Sequence, residues 1–203
     1  MPDPVARTWE AATAVFDAAP ICHVAFVQEG QLRVLPALHA LVGTTLYLHG
    51  SPASSVIRAV ASGDPLSISA VVLDGVAVAH SACHSALNYR SVLCSGTGRE
   101  VEDPDEAAQA LRAITERVIP GGWQRGRLPR PDEVAATAVA AVTITGFSLR
   151  ARSGPAQEDE ADRSLPGWTG IVPLRLEAGP AVPHPAVPAG LAPPEVLPGR
   201  AHS

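Results

Sequence analysis

Seven short runs rich in valine, leucine and isoleucine, each bounded by turn residues, constrain the fold of this chain more than any other feature. The runs cover residues 21–27, 31–38, 44–49, 66–73, 76–81, 88–101 and 139–150. Their composition and length are typical of β-strands. Parallel strands need a connection of a dozen or more residues, usually a helix, and most gaps between these runs are shorter. The sequence therefore predicts a mainly β fold, an antiparallel barrel with peripheral α-helices.

Two dipeptides predict the tightest connections between strands. Glu29-Gly30 lies between the first and second runs, and Asp74-Gly75 lies between the fourth and fifth. A two-residue hairpin turn requires positive φ, which glycine adopts without steric cost. Both dipeptides are therefore predicted to form hairpins, and Asp-Gly is the stronger signal of the two.

Three stretches, residues 7–19, 53–61 and 103–118, carry apolar side chains at the three- and four-residue steps of a helix. The start of the third is the best marked. Asp103 can cap the helix, Pro104 suits the first helical position, and Glu106 stands three residues after the cap. This spacing predicts a capping box.

The end of the chain differs in composition from the rest. Residues 173–203 include eight prolines, a density that favours extended structure without a core of its own. We therefore expect a barrel domain over residues 1–172 and a proline-rich extended arm over residues 173–203.

Charge and cysteine content exclude several classes of protein. The net charge is −5, which argues against a general nucleic-acid binder. No apolar run approaches the roughly 18 residues of a membrane span, and no secretory signal precedes the first helix. The three cysteines, Cys22, Cys83 and Cys94, are an odd number and lack two-residue spacing. We expect a reduced, cytoplasmic protein without membrane partners.

The junction between the third run and the second helix is the first candidate site. There a predicted strand ends at His49-Gly50-Ser51, and Ser54, Ser55 and Arg58 follow at the start of the helix. Backbone donors at a helix N-terminus, serine hydroxyls and an arginine together suit an anion. The alternative is an ordinary serine-rich helix cap beside an exposed arginine.

The second candidate site is the polar start of the sixth run, residues Asn88, Tyr89, Arg90 and Ser91. Strand alternation places Asn88 and Arg90 on one face, with Tyr89 and Ser91 on the other. Arg90 suits bidentate pairing with a phosphate or carboxylate, and Tyr89 suits stacking on a ring. The alternative is a solvated strand entrance.

Other motifs are weaker. His80, Cys83 and His84 invite a zinc interpretation, but a fourth ligand would have to come from Cys22, His23 or Asp74, so we predict no metal site. The glycines of residues 95–99 lack the dinucleotide-binding pattern, and no Gly-x-Ser-x-Gly elbow is present. Trp123 follows two glycines in a loop and would either cover a pocket or pack.

Four stretches, residues 21–26, 46–51, 88–92 and 165–174, together resemble one family in the right order. They are similar to the flavin-nucleotide-binding branch of the pyridoxamine 5′-phosphate oxidase superfamily, which includes nitroimidazole reductases. The resemblance implies an FMN-binding split β-barrel homodimer, with FMN at the dimer interface. It implies an FMN-dependent oxidoreductase that acts on a small organic molecule.

The resemblance also assigns residues. The positions that match the family's phosphate site are His49, Gly50, Ser51, Ser54 and Arg58, and those that match its second site are Asn88, Tyr89, Arg90 and Ser91. Trp123 resembles the family's loop tryptophan, and Arg150 and Arg152 resemble its basic strand end. Tyr89 and His49 are the candidates for catalytic proton transfer.

Departures from the family leave alternatives open. Ser55 belongs to the same predicted cofactor site but stands where an arginine is usual, and Cys83 stands where a phenylalanine is usual. The loss of one arginine makes Arg90, alongside Arg58, a principal cation for a cofactor phosphate. One alternative is a haem or deazaflavin enzyme, with His23, His49, His80 and His84 as candidate haem ligands. The other is a non-catalytic ligand-binding or regulatory barrel.

Overall fold

The computed structural model describes residues 8–188 and 190–197, except for the side chain of Ala135. The described helices are α1 Trp9–Ala18, α2 Ser55–Ala61, α3 Pro104–Val118, α4 Gly122–Arg125 and α5 Pro131–Ala135, with a 3₁₀ turn at Asp162–Ser164. The described strands are β1 Cys22–Gln28, β2 Gln31–Ala37, β3 His39–Val42, β4 Thr45–Gly50, β5 Pro65–Val78, β6 Ala86–Glu100, β7 Ala138–Arg152 and β8 Gly170–Pro173. None of the helices in these ranges has the length and apolar content needed to cross a bilayer.

All eight described strands join one antiparallel sheet, which confirms the mainly β prediction. Seven follow the order β2-β1-β5-β6-β7-β4-β3, and β8 pairs with β5 outside this order. The long strands β5, β6 and β7 form its centre. The first half of β5 pairs with β1 at residues 67–69, and its second half pairs with β8 at residues 75–78. Strand β5 is therefore long enough to pair with two short strands, β1 near its start and β8 near its end.

One predicted hairpin is confirmed. Glu29 and Gly30 have φ values of 52° and 73°, and Gln28 pairs with Gln31 across the turn. Positive φ at both central residues matches the twist of the flanking strands.

The other predicted hairpin is wrong. Strand β5 continues through Asp74-Gly75 with a bulge between Leu73 and Gly75, and it ends at Val78 instead of turning back. The glycine at position 75 allows β8 to lie close to β5, because a Cβ at Gly75 would lie 2.9 Å from the carbonyl oxygen of Val172 in β8. The pairing of β5 with distant strands overrides the local turn signal.

The main core lies between the inner face of the sheet and helices α1 and α2. Phe16 of α1 and Val60 of α2 are fully buried there against Leu48, Ile68 and Val92 of the strands. The guanidinium of Arg117 in α3 donates to the carbonyls of Phe16, Asp17 and Ala19 at the end of α1. These bonds satisfy carbonyls that a helix terminus leaves without partners.

The start of α3 is partly as predicted. Asp103 is the N-cap, and its carboxylate accepts a hydrogen bond from the Asp105 amide. Glu106 does not complete the predicted box. Its carboxylate instead accepts hydrogen bonds from the Tyr47 hydroxyl at 2.9 Å and from the Arg99 guanidinium at 2.5 Å. Tertiary partners on the sheet therefore outcompete the local cap.

The sequence analysis missed β3, β8, α4 and α5, each of which is five residues or shorter. So few residues do not complete a recognisable period. In the described residues after Pro173 the chain forms neither helix nor strand, although the Leu197 amide donates to the carbonyl of Val118 at 2.8 Å. The division at residue 172 stays a prediction.

Candidate functional site

The first candidate site is the junction between β4 and α2. His49 and Gly50 end β4, and the Ser51 hydroxyl accepts a hydrogen bond from the Ala53 amide at 3.2 Å. Ser54 is the N-cap of α2 but makes no side-chain capping bond, and Ser55 begins the helix. A Cβ at Gly50 would lie 3.2 Å from the Ile57 side chain, so glycine lets the strand end sit close to the helix.

Two side chains of this junction have groups available to a ligand. His49 is half-buried, and its buried Nδ1 atom has no hydrogen-bond partner among the described residues. Burial lowers the pKa of His49, so the ring is neutral at pH 7. Arg58 is exposed and forms no ion pair within the described ranges. The junction therefore offers a neutral imidazole and a cation.

In the second candidate site, Asn88 is buried, and both the nitrogen and the oxygen of its side-chain amide form hydrogen bonds. Its Nδ2 atom donates to the carbonyl of Gly154 at 3.0 Å, and its Oδ1 atom accepts from Arg152 at 2.5 Å. Arg152 also donates to the carbonyl of Pro155 at 3.1 Å. Asn88 therefore holds the end of β7 and the following loop in place.

Arg90 forms a bidentate ion pair with Asp74. Its Nε donates to Oδ2 at 2.9 Å and its Nη2 donates to Oδ1 at 2.7 Å, with both side chains roughly one-quarter to one-third exposed. The hydrogen bond to Asp74 raises the pKa of the guanidinium. The sequence analysis missed this carboxylate as a partner because it assigned Asp74 to a turn.

Tyr89 and Ser91 lie on the opposite, outer face of β6. The Ser91 hydroxyl donates to the carbonyl of Arg150 at 3.3 Å, and Tyr89 is half-buried opposite Arg152. Beside them runs a groove of about 340 Å³ across β5, β6 and β7. Its lining includes Ser69, Val71, Ser91, Leu93, Ser148 and Arg150.

The structure does not bring the two candidate sites together within one chain. His49 pairs with Val139 at the start of β7, whereas Arg90 pairs with Ala151 near its end. These two positions on β7 are twelve residues apart, which corresponds to roughly 40 Å along a strand. One chain therefore presents the two stretches at opposite ends of its central strands.

Trp123 lies in α4, beyond α3, and is half-buried. The Glu116 carboxylate accepts hydrogen bonds from the amides of Gly121, at 2.7 Å, and Trp123, at 3.0 Å. Gly121 has a φ of 69°, so it reverses the chain between the two helices. These bonds hold the backbone of Trp123 against Glu116 near the end of α3.

The residues that the sequence analysis considered as zinc ligands lie in different surroundings. Cys22 is buried in the core, where desolvation raises its pKa to about 12, and Cys83 is exposed. The His80 ring pairs through Nδ1 with Glu158 at 2.9 Å, which raises the pKa of His80. His84 instead lies near Asp159 and Asp162. The sequence analysis missed these three carboxylates because they follow the histidines by more than seventy residues.

Comparisons with known proteins agree with this architecture. The family model described as pyridoxamine 5′-phosphate oxidase matches residues 8–151. No curated protein matches the sequence. The flavocytochrome Anf3 from Azotobacter vinelandii is 32% identical with a TM-score of 0.82, and the match covers 94% of this chain and 89% of that one.

Two further solved structures extend the comparison. The FAD and haem binding protein from Mycobacterium smegmatis is 34% identical with a TM-score of 0.85, over 93% of both chains. A provisionally assigned 5-nitroimidazole antibiotic resistance protein from Bacteroides thetaiotaomicron is 20% identical with a TM-score of 0.58, over 70% of this chain and 82% of that one. The last likeness concerns the fold alone.

Proposed function

Because this chain belongs to the pyridoxamine 5′-phosphate oxidase family, we propose that it is a flavin-dependent oxidoreductase that acts on a small organic molecule. The observation that carries the proposal is the family match over residues 8–151, which includes both polar stretches and the outer-face groove. The cofactor predicted from sequence is FMN. FAD shares the isoalloxazine ring and the first phosphate, and the name of the M. smegmatis protein supports testing both.

The residues present fit a flavin. The groove combines apolar walls at Val71 and Leu93 with hydroxyls at Ser69, Ser91 and Ser148. Binding sites for planar ligands are typically of this kind, mostly apolar with a few placed polar groups. We assign the cofactor phosphate to three cations: Arg150 in the groove, Arg58 at the β4–α2 junction, and Arg90, which also pairs with Asp74.

The proposed site requires a homodimer. A single chain separates the β4–α2 junction from residues 88–91 by most of the length of β7. A second copy, related by a two-fold axis over the groove, would supply the missing stretch. The half-exposed side chains of Val71 and Leu93 are the apolar surface that such a copy would cover.

A bound flavin would supply the hydride or electron transfer, and the chain would bind, orient and exchange protons. We assign proton transfer to His49 and Tyr89. Because burial lowers the pKa of His49, its neutral ring accepts a proton at pH 7. The phenol of Tyr89 lies on the outer face of β6, and its hydroxyl is a group that can donate a hydrogen bond there.

The test is cofactor binding by the full chain, read by visible absorbance and by melting temperature with added FMN or FAD. A ligand that binds the native state adds RT ln(1 + [L]/Kd), about 2.7 kcal/mol at a hundredfold excess over Kd. Arg58→Ala should reduce flavin affinity roughly tenfold, and the exposed helical control Arg112→Ala should not. A colourless protein that gives no shift with either flavin supports the non-catalytic alternative instead.

A second candidate is a flavocytochrome, which binds haem as well as flavin. Two proteins that match over nearly the whole chain at 32% and 34% identity favour it, since their names include flavocytochrome and haem binding. The sequence contains no Cys-x-x-Cys-His motif, so any haem would be held without covalent attachment. A neutral imidazole is the form that binds iron. Burial lowers the pKa of His49, and its buried Nδ1 atom has no hydrogen-bond partner among the described residues, whereas the hydrogen bond to Glu158 raises the pKa of His80.

Haem titration of the full chain tests this second candidate. We expect an intense Soret band that His49→Ala removes and that His184→Ala, in the exposed arm, leaves intact. Flavin absorbance is recorded on the same samples. If His49→Ala loses flavin but keeps the Soret band, His49 belongs to the flavin site and another residue binds the iron.

A further inference from the structure

One polar cluster is used neither by the sheet nor by the proposed flavin site. His84 lies in the connection between β5 and β6, and Asp159 and Asp162 lie in the segment that follows β7. One potential ligand atom from each of these side chains lies within 4.8 Å of the others. The buried Nδ1 atom of His84 has no hydrogen-bond partner among the described residues.

The backbone around the cluster is held on both sides. The His84 amide donates to the carbonyl of Ser81 at 3.1 Å, which closes a turn over residues 81–84. The Asp162 amide donates to the carbonyl of Asp159 at 3.1 Å, which places both carboxylates on one turn. The same two segments are joined nearby by His80, whose ring and amide both bond to Glu158, at 2.9 Å and 3.0 Å. The three side chains therefore face one another on anchored segments.

The segment that follows β7 is rich in negative charge. Residues 158–162 include four carboxylates, of which Glu158 pairs with His80 and Asp162 helps to raise the pKa of that ring, while Arg163 adds one positive charge. Within the described ranges, no ion pair or hydrogen bond joins His84 to Asp159 or Asp162. A shared cation would satisfy both carboxylates and the unpartnered imidazole nitrogen at once.

We propose that His84, Asp159 and Asp162 bind a divalent transition-metal cation of the Zn²⁺ and Mn²⁺ class. Imidazole together with two carboxylates suits these ions, whereas Mg²⁺ and Ca²⁺ prefer oxygen ligands alone. Ligand atoms around a tetrahedral zinc lie about 3.4 Å apart, given bonds of about 2.1 Å. The ligand atoms of the cluster lie within 4.8 Å of one another, so they would have to approach by up to about 1.4 Å to bind zinc.

The cation would join the β5–β6 connection to the segment after β7. That segment begins beside Gly154, whose carbonyl accepts the hydrogen bond from Asn88. The proposed metal therefore stabilises the loop that Asn88 and Arg152 anchor. The site does not depend on whether the chain binds flavin.

The test is calorimetric titration of the purified full chain after treatment with EDTA and dialysis. We expect one site per chain for ZnCl₂ and MnCl₂ and much weaker binding of MgCl₂ and CaCl₂. His84→Ala and Asp162→Asn should each weaken Zn²⁺ binding roughly tenfold or more, since even outer-shell changes reach that size. The matched controls His184→Ala and Asp132→Asn change exposed residues of the same types and should bind as the parent does.

Cys83→Ser is a further control, because this exposed thiol next to His84 can itself bind zinc. Co²⁺ loading should give visible absorption bands that Asp162→Asn removes and Cys83→Ser retains. Melting curves without metal verify that each variant is folded. Equal binding by Asp162→Asn and the parent, or loss of binding in Cys83→Ser alone, would overturn the proposal.

Discussion

His39 is a buried histidine whose protonation opposes folding. Its Nε2 atom donates to the Phe16 carbonyl at 3.1 Å, and the ring is about 1% exposed. Burial, and secondarily the nearby charge of Arg117, lower its pKa from 6.5 to about 4. The native state therefore keeps this ring neutral over a pH range in which the unfolded chain protonates it.

This shift predicts a loss of stability in mild acid. Above pH 6.5 both states are neutral at His39 and the residue contributes no pH dependence, whereas between pH 6.5 and 4 the unfolded state binds the extra proton. The free energy of unfolding should fall by about 3 kcal/mol across that window from this residue alone. Urea unfolding at successive pH values measures it. His39→Leu should show a correspondingly smaller fall, and equal slopes for the two proteins would contradict the assignment.

Arg90 carries a second prediction at this scale. The sequence assigns it to a cofactor phosphate. In the structure, the Nε and Nη2 atoms of its guanidinium donate hydrogen bonds to the Asp74 carboxylate. We expect Arg90→Ala to reduce flavin affinity roughly tenfold or more and Arg90→Lys to restore it only in part. Asp74→Asn weakens the ion pair but keeps the cation, so it should lower stability with less than a twofold change in affinity. If flavin binds Arg90→Ala as it binds the parent, the role of Arg90 is structural.

At the scale of elements, Gly98 permits the close packing of β6 against α2. A Cβ there would lie 2.1 Å from the carbonyl oxygen of Val60, which no side-chain rotation relieves. Gly98→Ala should therefore destabilise the protein by roughly 1–3 kcal/mol, as measured by denaturant unfolding. Gly146→Ala is the matched control, because a Cβ at Gly146 in β7 meets nothing within 4 Å. Equal stability of the two variants would mean that β6 and α2 are less closely packed.

The same elements show how far the sequence predicts the fold. Periods of two and of 3.6 residues located the long strands and helices, because their apolar side chains face one core. The Glu29-Gly30 turn was also predictable, since β1 and β2 pair with each other directly across it. Asp74-Gly75 carried the same local signal, but β5 pairs across it with β6 and β8. Such long-range pairing leaves no mark in the local sequence.

At the scale of the whole molecule, the sequence predicted the two polar stretches of the site but not how far apart they lie. Asn88, Tyr89, Arg90 and Ser91 are conspicuous along the chain, but the sequence does not identify Asp74 and Gly154 as their partners. The distance between this stretch and His49 depends on the register of β7 with both β4 and β6. Register is a property of the assembled sheet, so the separation of the two stretches was not predictable from their own residues.

That separation makes the oligomeric state testable together with cofactor binding. Leu93 lines the outer-face groove and is about 51% exposed in the single chain, so Leu93→Arg should leave the fold intact. At a two-fold interface the new charges would be buried without partners, and we expect the dimer to dissociate. Sedimentation velocity should then give a monomer, and flavin retention should fall as well, because Leu93 lines the proposed flavin groove and each chain holds only part of the site. Val182→Arg places the same charge in the arm, at a position 93% exposed, and should remain dimeric with its flavin. A Leu93→Arg protein that stays dimeric and retains flavin would place the interface elsewhere, and a parent that binds flavin as a monomer would show that one chain completes the site.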